Sequence, residues 1–298
     1  MNNSPIVLFV YNRPEHTKLT LEALGKNILS TESDLFIFCD GWKNKRDKKK
    51  VEEVRRYLKS VIGFKSIHIF EKEKNYGLAN SIISGVTEIV NKYGKVIVLE
   101  DDILTSSHFL EYMNDALNFY ESSKEVASIS GYMYPVETQL PETFFLKLTS
   151  SWGWGTWKRA WEFFEPDGKK LLEQLEKDSS KKEFDINNSY KYSAMLKRQI
   201  AGLNNSWAIR WYASCFLNQK LTLYSAKSLV QNIGFDGTGT HSSKSDQFDI
   251  NLNQKQVKIY VIPPGQNKTA FLALVKYFNL RKPTIIERVR RKIIKLFK

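Results

Sequence analysis

The stretch Val96-Ile97-Val98-Leu99-Glu100-Asp101-Asp102-Ile103-Leu104-Thr105-Ser106-Ser107-His108-Phe109-Leu110-Glu111-Tyr112-Met113 decides the fold. Four apolar residues read as a buried strand, three carboxylates leave its end together, and an amphipathic stretch follows. Three acids released at one point repel one another unless a cation neutralises them. A divalent metal with oxygen ligands would do so and could bridge a diphosphate. The competing role is a solvated turn or the cap of the next helix, since acids favour first turns.

The same order recurs on the N-terminal side. Apolar runs at Ile6–Tyr11, Leu35–Cys39, Ile67–Phe70, Val96–Leu99 and Val126–Ile129 alternate with amphipathic stretches at 15–29, 47–61, 78–92 and 107–121. A βαβα order predicts an α/β fold, a mostly parallel sheet covered by helices on both faces. Ligands of such sheets bind beyond the C-terminal strand ends. There the chain places Asn12-Arg13, Asp40-Gly41, Glu71-Lys72 and Glu100-Asp101-Asp102. Arg13 could meet a phosphate and Asp40 the N–H of a nucleotide base; a surface arginine and an Asp-Gly turn are the plainer alternatives.

After Gly131 the alternation fails. Residues 150–164, SSWGWGTWKRAWEFF, hold four tryptophans and two glycines. Helices are expected around 188–201 and at Trp207–Leu217, and short strands at Leu221–Tyr224 and Val257–Ile262. The glycine-, serine- and threonine-rich stretch 234–249 reads as a loop. These features divide the chain into a domain over 1–265, with a nucleotide-binding half at 1–131 and an acceptor-side half at 132–265, and a basic amphipathic helical segment over 266–298.

The 298 residues suffice for one large α/β domain, and 42% hydrophobic with 26% charged residues is ordinary globular composition. Cys39 and Cys215 alone provide neither a disulfide framework nor a cysteine zinc site. The first apolar run lacks the basic flank and cleavage site of a signal peptide, and no stretch reaches the length of a membrane span. The net charge is +13, and residues 281–298 carry eight basic residues against Glu287 alone, a net of +7. With apolar residues near helical spacing, that segment suits an anionic membrane surface. It lacks the stacking platform of a nucleic-acid arm, and nucleic acid is not an expected partner. A cytoplasmic protein, peripheral on the inner membrane's cytoplasmic face, is the expectation.

The order VLFVYNRPE, FIFCDGW, NYGLANSIISGV, VIVLEDDILTSSHFLEYM and SSWGWGTWKRAW resembles GT-A-fold glycosyltransferases, which are Rossmann-like. The likeness is to the branch holding N-acetylglucosaminyltransferase I and to bacterial family-2-like sugar transferases, and it covers about the first 165 residues well. It implies that Asp102 ligates Mn2+ (or Mg2+) through a donor diphosphate, that Glu100 and Asp101 contact the donor sugar and ribose, that Asp40 meets uracil and that Arg13 meets nucleotide or phosphate. His241 resembles the late histidine such enzymes bring to metal or diphosphate.

One departure concerns the base. The family's Trp-Asp-Asp-Trp element has its nearest counterpart in Trp207-Ala208-Ile209-Arg210-Trp211, and Ala208 cannot accept a proton. Asp236, Glu162 and Asp185 are the candidates, Asp236 first because it shares the loop of His241. Trp152 and Trp154 could face an acceptor sugar, with core packing the competing role of at least two tryptophans in that segment. The expected function is transfer of a sugar from a nucleotide-sugar donor, UDP-linked by resemblance, to a glycan or lipid-linked glycan. The alternatives are a non-catalytic nucleotide-sugar or carbohydrate-binding module and a nucleotidyltransferase.

Overall fold

The computed structural model describes residues 3–237 and 247–282. In chain order the elements are β1 (Ile6–Val10), α1 (Pro14–Gly25), β2 (Asp34–Cys39), α2 (Lys45–Leu58), β3 (Ser66–Glu71), α3 (Leu78–Tyr93), β4 (Lys95–Glu100), β5 (Ile103–Thr105), α4 (Phe109–Phe119) and β6 (Val126–Ser130). Then come β7 (Thr143–Leu146), β8 (Trp154–Trp157), α5 (Lys158–Trp161), α6 (Gly168–Lys177), α7 (Lys181–Phe184), α8 (Tyr192–Ile200), α9 (Trp207–Leu217), β9 (Leu221–Ser225), β10 (Val230–Asn232) and α10 (Lys268–Leu280).

Eight strands form one sheet in the order β3-β2-β1-β4-β8-β6-β9-β7, and β5 pairs with β10 in a separate ribbon. All but β7 and β8 run one way, as the pairings require. Strands β1, β2 and β4 are apolar runs because both faces are covered; every residue of β1 is buried. The chain moves outward from β1 to β2 and β3, then returns to β4 on the other side. Right-handed crossovers therefore put α1 and α2 on one face and α3 on the opposite face. The order reverses between β1 and β4, the point at which such sheets ordinarily carry a ligand crevice beyond their C-terminal ends.

Departures from the sequence expectation lie in the second half. The segment 150–164 contains β8, an internal strand held antiparallel between β4 and β6. Gly155 permits it: a β-carbon there would lie 2.9 Å from the Met113 methyl and 3.1 Å from the Val96 carbonyl oxygen, where α4 crosses the sheet. Conversely Val257–Ile262 is not a strand. It has no sheet pairing among the described residues, and the isolated bridge in this region joins Phe145 to Gln266. The helix expected over 188–201 begins later, at Tyr192, because Ile186, Asn187 and Asn188 all have left-handed φ values.

A main core gathers around the sheet, and a second one joins β7, α6, α9 and α10 through Phe144, Leu175, Tyr212 and Leu274. Helix α10 is anchored there by Ala270, Leu274, Tyr277 and Phe278. Among the described residues no helix is long and apolar enough to cross a membrane.

Candidate active site at the β1–β4 crevice

The segments that leave the C-terminal ends of β1 and β4 line the crevice. Beyond β1 the chain runs Tyr11-Asn12-Arg13 and enters α1 with Pro14 in its first turn, a position where proline's fixed φ suits a helix. The amide of Tyr11 donates to Asp101 Oδ2 at 3.2 Å, which ties the two strand ends together. Arg13 Nη1 lies 2.9 Å from Asp102 Oδ2. Its Nη2 lies 2.7 Å from His16 Nε2 and 3.4 Å from Asp236 Oδ1. His16 Nε2 is also 3.1 Å from Asp236 Oδ2, so it accepts from Arg13 or donates to Asp236 according to its tautomer.

Asp236 arrives by way of the β5–β10 ribbon. Asn232 pairs with Ile103 directly after the acidic trio, and the Ile233 amide donates to the Asp102 carbonyl at 2.9 Å. Gly234 then passes over the Asp102 carboxylate so closely that a β-carbon would run into Oδ2 and lie 3.0 Å from Arg13 Nη1. A side chain at this crossing would have to displace those of Asp102, Arg13 and Asn232, and the crossing delivers Asp236 to Arg13 and His16.

All three acids of the trio are harder to ionise than ordinary carboxylates. Burial and then the charges of Asp102 and Asp101 push Glu100 well up. Burial and Asp102 push Asp101 up to about 7, against the opposing pull of Arg13 and the Tyr11 amide. Asp102 is also raised, by burial, although Arg13 and His16 pull it down. Beside them the Tyr11 hydroxyl is pushed up to about 12, mainly by burial, with Asp47 adding to it. It donates to Asp47 Oδ2 at 3.1 Å, and Asn12 Nδ2 donates to Asp47 Oδ1 at 2.9 Å.

These observations test the fit of a divalent cation. Among the described residues no group of three or more His, Cys, Asp or Glu side chains is arranged to hold a metal alone. A hard cation bound together with phosphates needs only one or two carboxylates from the protein. Asp102 meets that need, since Oδ1 has no hydrogen-bond partner among the described residues while Oδ2 faces Arg13. The all-oxygen trio, costly to ionise, would be stabilised by the added positive charge. The residues fit a cation carried by a diphosphate and do not form a cage of their own.

The other sequence-derived candidates separate. Asp40 is 6% exposed, and both its oxygens are committed: Oδ1 accepts from the Gly41 and Tyr76 amides at 2.9 and 2.8 Å, Oδ2 from the Gly77 amide at 2.9 Å and from Asn75 Nδ2 at 3.0 Å. A carboxylate has about four acceptor positions. Asp40 thus holds the loop that leads into α3, and the expected contact with uracil is not open to it as it stands. Trp154 is fully buried, stacked on Trp207 at 5.2 Å between ring centroids, so it is a core residue and offers no face to an acceptor. Trp152 is half-buried, in edge contact with Phe235 at 5.6 Å and Phe248 at 5.2 Å, and lies beside the chain leading to Asp236.

Glu162 follows α5, whose Lys158 amide bonds the Gly94 carbonyl at the beginning of β4. It therefore sits at the opposite end of that strand from Glu100, and a base role is excluded by distance: five residue steps of strand are about 17 Å. Asp185 is buried and accepts from the Ser193 amide at 2.7 Å and hydroxyl at 2.6 Å, which fixes the start of α8; it is a structural acid. Ala208, half-buried in α9, brings no carboxylate. His241 lies outside the described residues. The sequence reading missed His16, Tyr11, Asp47 and Gly234; the i to i+3 spacing of Arg13 and His16 across the first turn of α1 was the available signal for His16.

No protein-family model and no curated protein sequence matches the chain. Solved structures do. A mannosyltransferase from Pyrobaculum calidifontis in complex with GDP-mannose and Mn2+ is 12% identical over 43% of this chain and 35% of its own, with a TM-score of 0.32. S. aureus TarS is 13% identical over 78% of this chain and 37% of its own, with a TM-score of 0.41. A UDP-glucose pyrophosphorylase complexed with UDP-glucose is 12% identical over 74% and 90%, with a TM-score of 0.36. This chain spans about a third of the length of the first two. Overlaps of this extent assign no activity; the α/β class and the crevice rest on the chain's own sheet and side chains.

Proposed function

We propose that the chain is a metal-dependent glycosyltransferase of the GT-A kind, moving a sugar from a nucleotide-sugar donor, UDP-linked by resemblance, to a glycan or lipid-linked glycan. The observation that carries it is the contact of Arg13 with Asp102, 2.9 Å apart, within a trio of disfavoured carboxylates where the strand order reverses. Asp102 would hold Mn2+ or Mg2+ together with the donor diphosphate, and the ion, when bound, supplies stabilisation of charge on the leaving phosphate. Arg13 would turn from its carboxylates to a phosphate oxygen. Glu100 and Asp101 would contact the donor sugar and ribose.

In the reaction the acceptor hydroxyl oxygen forms a bond to the anomeric carbon as the bond to the diphosphate oxygen breaks, and the nucleoside diphosphate leaves with the electron pair. Asp236 would take the hydroxyl proton, with His16 at 3.1 Å to orient it. Trp152 would present a ring edge to the acceptor, and residues 281–298 would engage an anionic membrane surface.

The non-catalytic binding module is favoured by one observation: Ala208 stands where the resembling enzymes have a carboxylate. The nucleotidyltransferase has less support, because VYNRPEHTK after β1 contains no glycine with which to wrap a triphosphate. Release of nucleoside diphosphate from a panel of nucleotide sugars, with and without manganese, tests the proposal. Manganese-dependent release is expected, falling on the order of 100- to 1,000-fold in Asp102→Asn. A folded Asp102→Asn protein that works at the parent rate rules the assignment out, and absence of any release leaves the binding module.

A further inference from the structure

We infer that the sheet rim carrying the crevice is itself a docking surface for an anionic lipid bilayer, with one contact at the start of α2 and another at the end of α10. The docking is independent of the glycosyl-transfer reading and extends the expected membrane contact beyond residues 281–298.

The α2 contact follows Asp40 directly, so it stands at the C-terminal end of β2, on the rim. Lys43, Lys45, Arg46, Lys48, Lys49 and Lys50 are all exposed and are opposed within that stretch by Asp47 alone. Helix stability does not explain them, apart from Lys48, which pairs with Glu52 one turn on at 3.7 Å. The Asn44 side chain already accepts from the Arg46 and Asp47 amides, and the positive end of a helix favours acids over lysines. Asp47 itself is turned inward to Tyr11 and Asn12. Trp42 lies 40% exposed beside the cluster, with Lys48 Nζ 6.0 Å from its ring centroid. An indole among lysines suits the headgroup level of a bilayer.

The α10 contact sits at the other end of the sheet. Helix α10 keeps Leu272 and Leu280 outside, 60% and 69% exposed, with Lys276 exposed between them and Arg281 and Lys282 at its end. Its last turn reaches the same rim. The Tyr277 hydroxyl donates to the Gln247 carbonyl, and ring contacts run from Tyr277 to Tyr134, Phe248 and Phe235, next to Asp236. Two cationic patches with exposed apolar side chains thus flank the crevice. Leucines between lysines favour a bilayer over a nucleic-acid backbone, which offers them nothing to enter. Docked this way, the crevice faces the lipid surface, where a lipid-linked acceptor would be found.

Co-sedimentation of the full chain with phosphatidylcholine–phosphatidylglycerol vesicles, against phosphatidylcholine alone, is the test. The triple variant Lys45→Gln, Arg46→Gln, Lys49→Gln neutralises the α2 contact. Lys59→Gln, Lys65→Gln, Lys92→Gln removes the same charge from the opposite rim. At about fivefold for each basic residue near the surface, the first variant should lose on the order of a hundredfold in binding to the mixed vesicles, and the second should stay near the parent. The first should also melt no lower than the parent, since its cations leave a positive helix end. Three results overturn the inference: unchanged vesicle binding by the first variant, an equal loss in both, or a loss of duplex DNA binding with vesicle binding intact. Nucleoside diphosphate release without vesicles should be equal in all three proteins. A chain that releases none would fail as an enzyme while its docking remained measurable.

Discussion

Burial holds Asp101 in its neutral form up to about pH 7, against an ordinary value of 3.8, and this sets a sign and a size for its effect on stability. The folded state binds the proton more tightly than the unfolded chain. Its stabilising contribution is therefore complete below about pH 4 and is lost as pH rises through 7. At about 1.4 kcal/mol for each pH unit between the two values, the ceiling on that loss is on the order of 4 kcal/mol. In a chain of this size that is on the order of 10 °C in melting temperature. Calorimetry in chelator from about pH 4 to 8 should show the parent losing stability relative to Asp101→Asn, which keeps an acceptor for the Tyr11 amide but has no charge to ionise. Manganese with a nucleoside diphosphate should restore the parent most above pH 7 and restore Asp102→Asn little. If parent and Asp101→Asn melt in parallel across the whole range, the trio is not strained by its own charge and the argument for a cation there is refuted.

Three further outcomes are expected at the site and around it. Asp40→Ala should lower stability by about 2 to 4 kcal/mol, because the part-buried amides of Tyr76 and Gly77 lose a charged acceptor, and chemical denaturation will read it. Trp154→Ala should cost about 3 to 5 kcal/mol as a core cavity, whereas Trp152→Ala, at a half-buried ring, should cost less and raise KM for the acceptor in a transfer assay. Asp236→Asn should lower kcat on the order of 100-fold or more while a fluorescent nucleotide still binds, and Glu162→Gln should leave both kcat and nucleotide binding at the parent level.

How much the sequence disclosed depended on whether a structure was local. Strands β1, β2 and β4 showed themselves because strands buried on both faces are unbroken apolar runs, and the trio showed itself as their polar end. Strand β8 did not, because Trp154-Gly155-Thr156-Trp157 has the composition of a loop and becomes a strand only in the slot between β4 and β6. Val257–Ile262 erred the other way: its alternation is strand-like, but no neighbouring edge pairs with it among the described residues. Asp40 was legible as an acid at a strand end. Its occupancy by Asn75, Tyr76 and Gly77 depends on a loop 35 to 37 residues away in sequence, which no local pattern reports. Asp236 was singled out for its loop and does stand at the crevice, whereas Glu162 and Asp185 were chosen as acids alone and serve elsewhere.

The charge balance at the crevice narrows what can bind there. Asp102 and Asp236 contact Arg13, Asp236 also contacts His16, and Glu100 and Asp101 carry charge beside Asp102. A bare diphosphate would bring more negative charge to a place that already disfavours its own carboxylates, and Arg13 alone cannot offset both. A bare divalent cation would find one open oxygen of Asp102, but it would stand beside the guanidinium and lack the remaining ligands. Bound together, each would supply what the other lacks: Asp102 would hold the cation, whose charge would offset that of the diphosphate beside the trio, and Arg13 would be free to meet a phosphate oxygen. Under the proposed function, the metal–diphosphate pair should therefore bind more tightly than either partner alone, which calorimetric titration of each separately and of both together will read.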